Sequence, residues 1–251
     1  MKKTTLMKIF LRSFFIQTTL NFRRMQNLGF AMAITPLVRE WQLQQKDSAR
    51  MLNRHLQLFN TNPYLSASVI GTVVCLEEEQ KDNDTVSDAL MIKQSLMGSY
   101  AAIGDIFFWG ALRPFAAIIA VILSYMGSML APVAFLLIFT PAHIWIRLKG
   151  FIEGYRGGKT GFKFIRSLDL PNVAVKIRWL SLVVLAGSII WLSEGGGYWP
   201  FTRTLDVVIK LTALAFVLLC LLLIKKGVSQ VYIIYGAVTL FFLISWRGFL
   251  N

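Results

Sequence analysis

Two polar segments hold the side chains best suited to chemistry. The first is Arg54-His55-Leu56-Gln57-Leu58-Phe59-Asn60-Thr61-Asn62-Pro63-Tyr64. Asn62 precedes a proline, which pushes its backbone out of the helical region and favours a turn. Asn60 and Asn62 carry neutral amide donors and acceptors. Such groups serve a carbohydrate hydroxyl or a structural cap equally well, and the cap is the plainer reading. The second segment runs from Lys93 to Pro114 into an apolar stretch. Gly98, Ser99, Ala101, Ala102 and Gly104 are small enough to let backbones approach closely, or to line a cavity as a broken helix. Asp105 and Arg113 flank an aromatic cluster that includes Trp109. A charge at the centre of a spanning helix costs roughly 3 kcal/mol, so it faces an interior and takes a partner. Straight helix from 105 to 113 would set the two charges about 12 Å apart. They pair directly only if the chain turns back between them, which points to a hairpin at membrane depth. The other reading leaves both at the membrane interface before the first span.

Other chemistry is scarce. Gly158-Lys159-Thr160 resembles the end of a phosphate-binding loop, but that motif needs glycine where Glu153 stands. The two histidines, His55 and His143, have no HExxH spacing and no cysteine partners, so a zinc site is not expected. Cys75 and Cys220 lie far apart and form no CxxC, which excludes a disulfide scaffold. No GxSxG marks a serine hydrolase. Glu77-Glu78-Glu79, with Asp82, Asp84 and Asp88, reads as a solvated linker between two helices rather than a cation site. No catalytic residue, metal or cofactor is expected.

The elements that must position these groups are apolar. Of 251 residues, 55% are hydrophobic and 16% charged, against about 25% charged in a soluble protein. Long apolar runs cover residues 115–126, 129–146, 179–193, 205–224 and 231–246. A spanning helix needs about 20 such residues, which gives about four to six spans when short runs are extended or re-entrant. The net charge is +13. Eight Lys or Arg lie in 147–178 against two acids, and ten lie in the first 55 residues against two acids. The positive-inside rule places both regions in the cytoplasm and the C-terminus outside. In an apolar chain these charges suit loops, not nucleic acid. Residues 5–41 carry no secretory signal, because Lys8 and Arg12 interrupt any apolar core. They read as amphipathic helix, lying on membrane lipid or packed on the protein's own cytoplasmic face.

At these residues the chain resembles the IID subunit of the mannose/fructose/sorbose class of the bacterial phosphotransferase system. The resemblance is carried by Arg12-Ser13-Phe14-Phe15-Ile16-Gln17 and Asn21-Phe22-Arg23-Arg24-Met25-Gln26-Asn27-Leu28-Gly29-Phe30. It continues through Arg54-His55-Leu56, Phe59-Asn60-Thr61-Asn62-Pro63-Tyr64, the acidic cluster at Glu77, Leu96-Met97-Gly98, Gly104-Asp105, Trp109-Gly110 and Arg113-Pro114. Gly154-Tyr155-Arg156-Gly157-Gly158 matches the family's cytoplasmic loop. The motifs keep their order over residues 10–160, and the last third matches in hydropathy only. Ser99, Tyr100, Ala102 and Ile106 depart from the family pattern, which has Pro, Leu, Gly, and Pro or Ser there.

The resemblance implies an all-α integral membrane protein of the bacterial inner membrane. N-terminal amphipathic helices would precede a broken or re-entrant helical hairpin and then a bundle of spanning helices. The expected divisions are an interfacial region at 1–92, the hairpin and first spans at 93–146, a basic cytoplasmic loop at 147–178, and C-terminal spans at 179–251. The resemblance also implies a partner IIC subunit, with which the chain would form a channel for a hexose within a higher-order hetero-oligomer. IIA and IIB would relay phosphate to the incoming sugar, so nothing in this chain would be phosphorylated. Expected substrate contacts are Asn60, Asn62, Gly98, Gly104, Asp105, Trp109 and Arg113, with Asp105 and Arg113 also holding the hairpin. The departures around Tyr100 motivate an alternative reading, a regulatory or scaffold protein derived from such a subunit that moves no sugar.

Overall fold

The computed structural model describes residues 1–79 and 88–195, with scattered residues between 215 and 242. Among the described residues the regular structure is helical, apart from isolated bridges at Asn21, Met25 and Phe59. Contacts group residues 1–189 into one compact unit and 190–251 into another, and every feature discussed below lies in the first.

Helix α1 (Lys3–Ser13) turns Thr5, Ile9, Phe10 and Ser13 inward, a spacing that puts them on one helical face. Irregular turns follow, and α2 spans Asn27–Glu40. The single amphipathic stretch expected over 5–41 is thus two helices. Pro36 inside α2 cannot donate a hydrogen bond, and the Met32 carbonyl that it frees accepts one from Arg12 Nη1 at 3.1 Å. Helix α3 covers Gln45–His55 and α4 covers Ser66–Glu79.

Helix α4 is buried on nearly every side, and α7 (Ala131–Gly157) packs along it. Small residues permit the approach. A Cβ at Gly71 would stand 2.3 Å from the Phe151 carbonyl oxygen, and one at Gly154 would stand 2.4 Å from that of Ser68. Gly150 and Gly154 form the small-xxx-small spacing that membrane helices use where area, not water, drives contact. Arg147, expected in a cytoplasmic loop, is buried on this helix.

Helix α5 (Asp88–Gly104), a π-helical segment (Asp105–Leu112) and α6 (Arg113–Tyr125) run on as one continuous helix of 38 residues. A turn at 126–130 leads into α7, so α6 and α7 form a helical hairpin. The break expected in the helix is therefore the wide π turn, and the chain does not fold back between Asp105 and Arg113. A 3-10 turn (Gly158–Thr160), α8 (Phe162–Ser167) and α9 (Leu170–Gly195) complete the described core. Residues 147–178, expected as a loop, are mostly helix. Three helices are long and apolar enough to cross a membrane: Asp88–Tyr125, Ala131–Thr160 and Phe162–Ser188. They account for the first three apolar runs. The runs at 205–224 and 231–246 fall largely outside the described residues, as do Asp82, Asp84 and the turn at 196–200.

Candidate functional site

The turn at 56–65 is built by side chains standing in for missing backbone partners. Gln26 Nε2 donates to the Thr61 carbonyl at 2.8 Å, and Gln26 Oε1 accepts from the Thr61 amide at 3.1 Å. Asn27 Nδ2 donates to the Leu56 carbonyl at 2.7 Å, and Arg24 Nη1 donates to the same oxygen at 3.1 Å. The Gln26 amide donates to the Phe59 carbonyl at 2.8 Å. The polar run Arg24–Asn27 is thereby the mould for residues 56–61. Buried backbone groups need such partners, because leaving one unpaired costs about 1–3 kcal/mol.

Asn62 sits at the end of this turn, buried. Its Oδ1 accepts from the Tyr64 amide at 3.0 Å, and its carbonyl accepts from the amides of Leu65 and Ser66 at 3.0 Å each. This is the cap read from the sequence. Asn62 Nδ2 then reaches away from the turn and donates to Asp105 Oδ1 at 2.9 Å. Gly104 makes room for that reach, since a Cβ there would meet Asn62 Cβ at 2.4 Å. One side chain is both cap and link to the second polar segment.

Asp105 opens the π segment and is exposed. A π turn widens the helix and leaves carbonyls poorly paired, a geometry found often at functional sites. Here Arg178 of α9 supplies donors. Its Nε lies 2.9 Å from the Gly110 carbonyl oxygen and its Nη2 lies 3.4 Å from that of Ile106. Gly110 allows the approach, because a Cβ would stand 2.8 Å from Arg178 Nη2. The sequence had placed Arg178 among loop charges.

Aromatic rings line the next turn. Tyr64 lies 4.6 Å from Phe108, 5.6 Å from Trp109, 5.6 Å from Phe139 and 4.9 Å from His143, centroid to centroid. Trp109 keeps 36% of its surface exposed, and the Arg113 guanidinium stands 5.1 Å from its ring. Arg147 Nη2 donates to the Pro63 carbonyl at 2.6 Å and its guanidinium lies 5.6 Å from the Tyr64 ring. Asp105 and Arg113 thus have separate partners, Asn62 and Trp109, where a direct pair was expected.

The structure therefore brings Asn62, Gly104 and Asp105 into contact, and joins Trp109 and Arg113 to them through Tyr64. Asn60 is exposed beside the turn. Gly98 is also exposed, and a Cβ there would meet nothing within 4 Å. Neither is drawn into these contacts. Tyr64, His143, Arg147 and Arg178 were not singled out by sequence. Only Tyr64 had a usable signal, its place directly after Asn-Pro.

A second polar cluster lies deeper. Glu77, expected in a solvated linker, is 4% exposed. Its carboxylate accepts from Arg54 Nη2 at 2.8 Å and lies 2.9 Å from His55 Nε2. Burial works to raise the Glu77 pKa, but the hydrogen bonds and charges of His55 and Arg54 prevail and hold it below the ordinary range. Burial pushes His55 below its ordinary value against the pull of Glu77, so the imidazole is neutral near pH 7. Lys93 is fully buried, donates to the His55 carbonyl at 2.8 Å, and stands 4.2 Å from the Phe30 ring centroid. His55 stacks on the same ring at 5.5 Å. This cluster ties α2, α3, α4 and α5 together and has no exposed reacting group.

Comparison with known proteins agrees over the whole chain. The family described as "PTS system mannose/fructose/sorbose family IID component" matches residues 1–250. The mannose-specific EIID component of Escherichia coli K12 is 29% identical, over 96% of this chain and 90% of that protein. The sorbose-specific EIID component of Klebsiella pneumoniae is 28% identical, over 98% and 96%. The fructose permease IID component of Bacillus subtilis is 26% identical, over 99% and 97%. A solved structure described only as a membrane protein aligns with a TM-score of 0.75 at 28% identity, covering 99% of this chain and 97% of that one. A chain from the cryo-EM structure of the mannose transporter ManYZ with microcin E492 aligns with a TM-score of 0.60 at 27% identity, covering 100% and 97%.

Proposed function

We propose, on the premise that this chain belongs to the mannose/fructose/sorbose family of phosphotransferase-system IID components, that it pairs with a IIC subunit to bind and move a hexose across the bacterial inner membrane. As a IID component it is a membrane subunit of a sugar permease. IIB, charged by IIA, phosphorylates the sugar, and this chain supplies binding and positioning without a catalytic residue of its own.

The observation that carries this reading is the Asn62–Asp105 hydrogen bond at 2.9 Å beside the half-open Trp109 face. A sugar presents hydroxyls on its rim and C–H groups on its faces. An ionised carboxylate accepts at about four lone-pair sites. Asn62 uses one of them and fixes the carboxylate; the rest are available to hydroxyls as charge-assisted bonds. Trp109 offers an apolar platform next to it, and Arg113 offers donors. Few polar groups against aromatic surface is the usual make-up of a small-molecule site. Asn62, Gly104 and Arg178 are positioning residues, and Asp105, Trp109 and Arg113 are the proposed contacts. Asn60 at the exposed rim and Gly98 on the same helix as Asp105 belong to the wider sugar path.

Lys149, Arg156, Lys159, Lys163 and Arg166 are exposed around the end of α7 and α8. We assign this basic end to the cytoplasmic side, where it suits docking of IIB. Tyr100, which departs from the family pattern, is buried in the core, so it does not intrude on the exposed Asp105–Trp109 face.

The test is hexose uptake by cells lacking their own mannose-class permease and carrying this chain with its cognate IIC, IIA and IIB. Uptake is expected to require this chain. Asp105→Ala should lower it at least tenfold, the loss of one charge-assisted hydrogen bond worth about 1.5–3 kcal/mol. Full uptake by a normally inserted Asp105→Ala complex removes Asp105 from the site. A correctly inserted wild-type complex that takes up no hexose favours the scaffold reading.

A further inference from the structure

We propose that the groove between α1 and α2 is a binding site for the phosphate of an anionic glycerophospholipid, whose acyl chains lie along the outer face of α1. The groove is a cavity of about 270 Å³ lined by Lys2, Thr4, Lys8, Arg12, Arg39 and Glu40, among others. Four cations therefore face one carboxylate. One oxygen of that carboxylate is engaged, since Glu40 Oε1 accepts from the Lys2 amide at 2.9 Å, and the other is buried without a hydrogen-bond partner, so the groove keeps an excess of three positive charges. Arg12 is anchored by its bond to the Met32 carbonyl, the acceptor that Pro36 leaves free. Lys8 and Arg39 are exposed and point no ion pair elsewhere among the described contacts. Clustered Lys and Arg of this kind raise the local concentration of a divalent or monovalent phosphate.

A second observation selects a lipid over a soluble anion. Met7 is 56% exposed, Leu11 53% and Phe15 56%. Met7 and Leu11 form a stripe on α1 at four-residue spacing, with Phe15 following in the turn after the helix, and Thr4, Lys8 and Arg12 form another stripe. Three residues of helix is a turn of about 300°, so the two stripes run side by side, about 60° apart. An apolar stripe beside a cationic groove on one helix matches a molecule with a phosphate at one end and acyl chains at the other. Tight packing fixes the inner face of the same helix, where Ile9 is fully buried and Phe10 meets Phe151 at 5.5 Å. The site does not depend on which sugar is moved, or on whether any is.

The experiment uses the purified complex of this chain with its IIC partner, delipidated in detergent and titrated with phosphatidylglycerol or phosphatidylcholine of the same chain length. Native mass spectrometry counts bound lipid. One phosphatidylglycerol is expected to bind well ahead of phosphatidylcholine. Lys8→Glu with Arg39→Glu should weaken that binding at least about twentyfold, near fivefold for each cation lost. Lys3→Glu, an exposed charge on α1 outside the groove, should change it little, and it controls for net charge. Lys8→Gln alone, expected to weaken binding about fivefold, serves if the double variant does not assemble. Inorganic phosphate and glycerophosphoglycerol, which lacks the tails, are titrated as competitors. Displacement by either at concentrations near the lipid's own means the groove takes a soluble anion and overturns the lipid assignment. Equal binding of both lipids, or unchanged binding in Lys8→Glu/Arg39→Glu, overturns the site altogether. Hexose uptake is read separately, so failure here leaves the transport reading where it stood.

Discussion

Asp105 depends on two neighbours that touch it from different directions. Asn62 donates to it, and Gly104 lets Asn62 come close. A methyl group at 104 would collide with Asn62 at 2.4 Å, and overpacking of a fitted contact costs about 1–3 kcal/mol. Gly104→Ala should therefore lower uptake without removing any polar group, and Asn62→Ala should reproduce the loss. The check is a split: apparent KM rises while insertion, read by surface labelling, stays at the wild-type level. The deeper pair behaves differently. Glu77 and His55 both have lower proton affinity in the folded chain than in the unfolded one. The unfolded state then binds more protons, so stability rises with pH across this range. It is complete above the ordinary His value of 6.5 and the ordinary Glu value of 4.5, and it is lost as pH drops below them toward the folded values. The thermal midpoint of the detergent-purified protein should start to fall below about pH 6.5. His55→Gln should remove the upper part of that fall. Glu77→Ala should destabilise by about 1–3 kcal/mol at pH 7.5, because it leaves the buried His55 ring nitrogen without its hydrogen-bond partner.

The π segment is an element that needs help from outside itself. Its Ile106 and Gly110 carbonyls accept from Arg178, 72 and 68 residues away along the chain but adjacent in the fold. Arg178→Ala should unseat the segment and cut uptake, and Arg178→Lys should restore little, since a lysine lacks the planar fork that spans two acceptors. Uptake equal to wild type in Arg178→Ala would show that the segment holds its shape alone. Helices were legible because apolar runs of spanning length have few other solutions in lipid. The turn at Asn62-Pro63 was legible because proline restricts its neighbour. The link from Asn62 to Asp105 was half legible: both residues stood out, but Asp105 was matched with Arg113 because the helix was expected to turn back. The π turn has no composition of its own, and its cap lies on a third helix, so periodicity could not find it. Glu77 was misread for a related reason. Three consecutive acids suggest solvent, and only the positions of Arg54 and His55 in space make the first of them a buried partner.

At the scale of the molecule, the proposed orientation rests on where charge collects along three long helices. Lys159, Lys163 and Arg166 cluster at the junction of the second and third. The turn at 126–130, between the first and second, carries no charged side chain. The positive-inside rule then puts the junction in the cytoplasm and the turn outside. Single cysteines test this directly, and the background is low. Burial and the nearby Glu79 push the Cys75 thiol up to about 11, so few of its molecules are thiolate near pH 7.5. Cys220 is replaced by Ala. In intact cells a membrane-impermeant maleimide should label Ser128→Cys and leave Lys163→Cys unlabelled until the cells are opened. The reverse pattern would invert the subunit and move the basic end away from IIB. The docking surface for IIB would then fail, while the lipid groove and the Asn62–Asp105 geometry would stand and the sugar would meet that geometry from the other side.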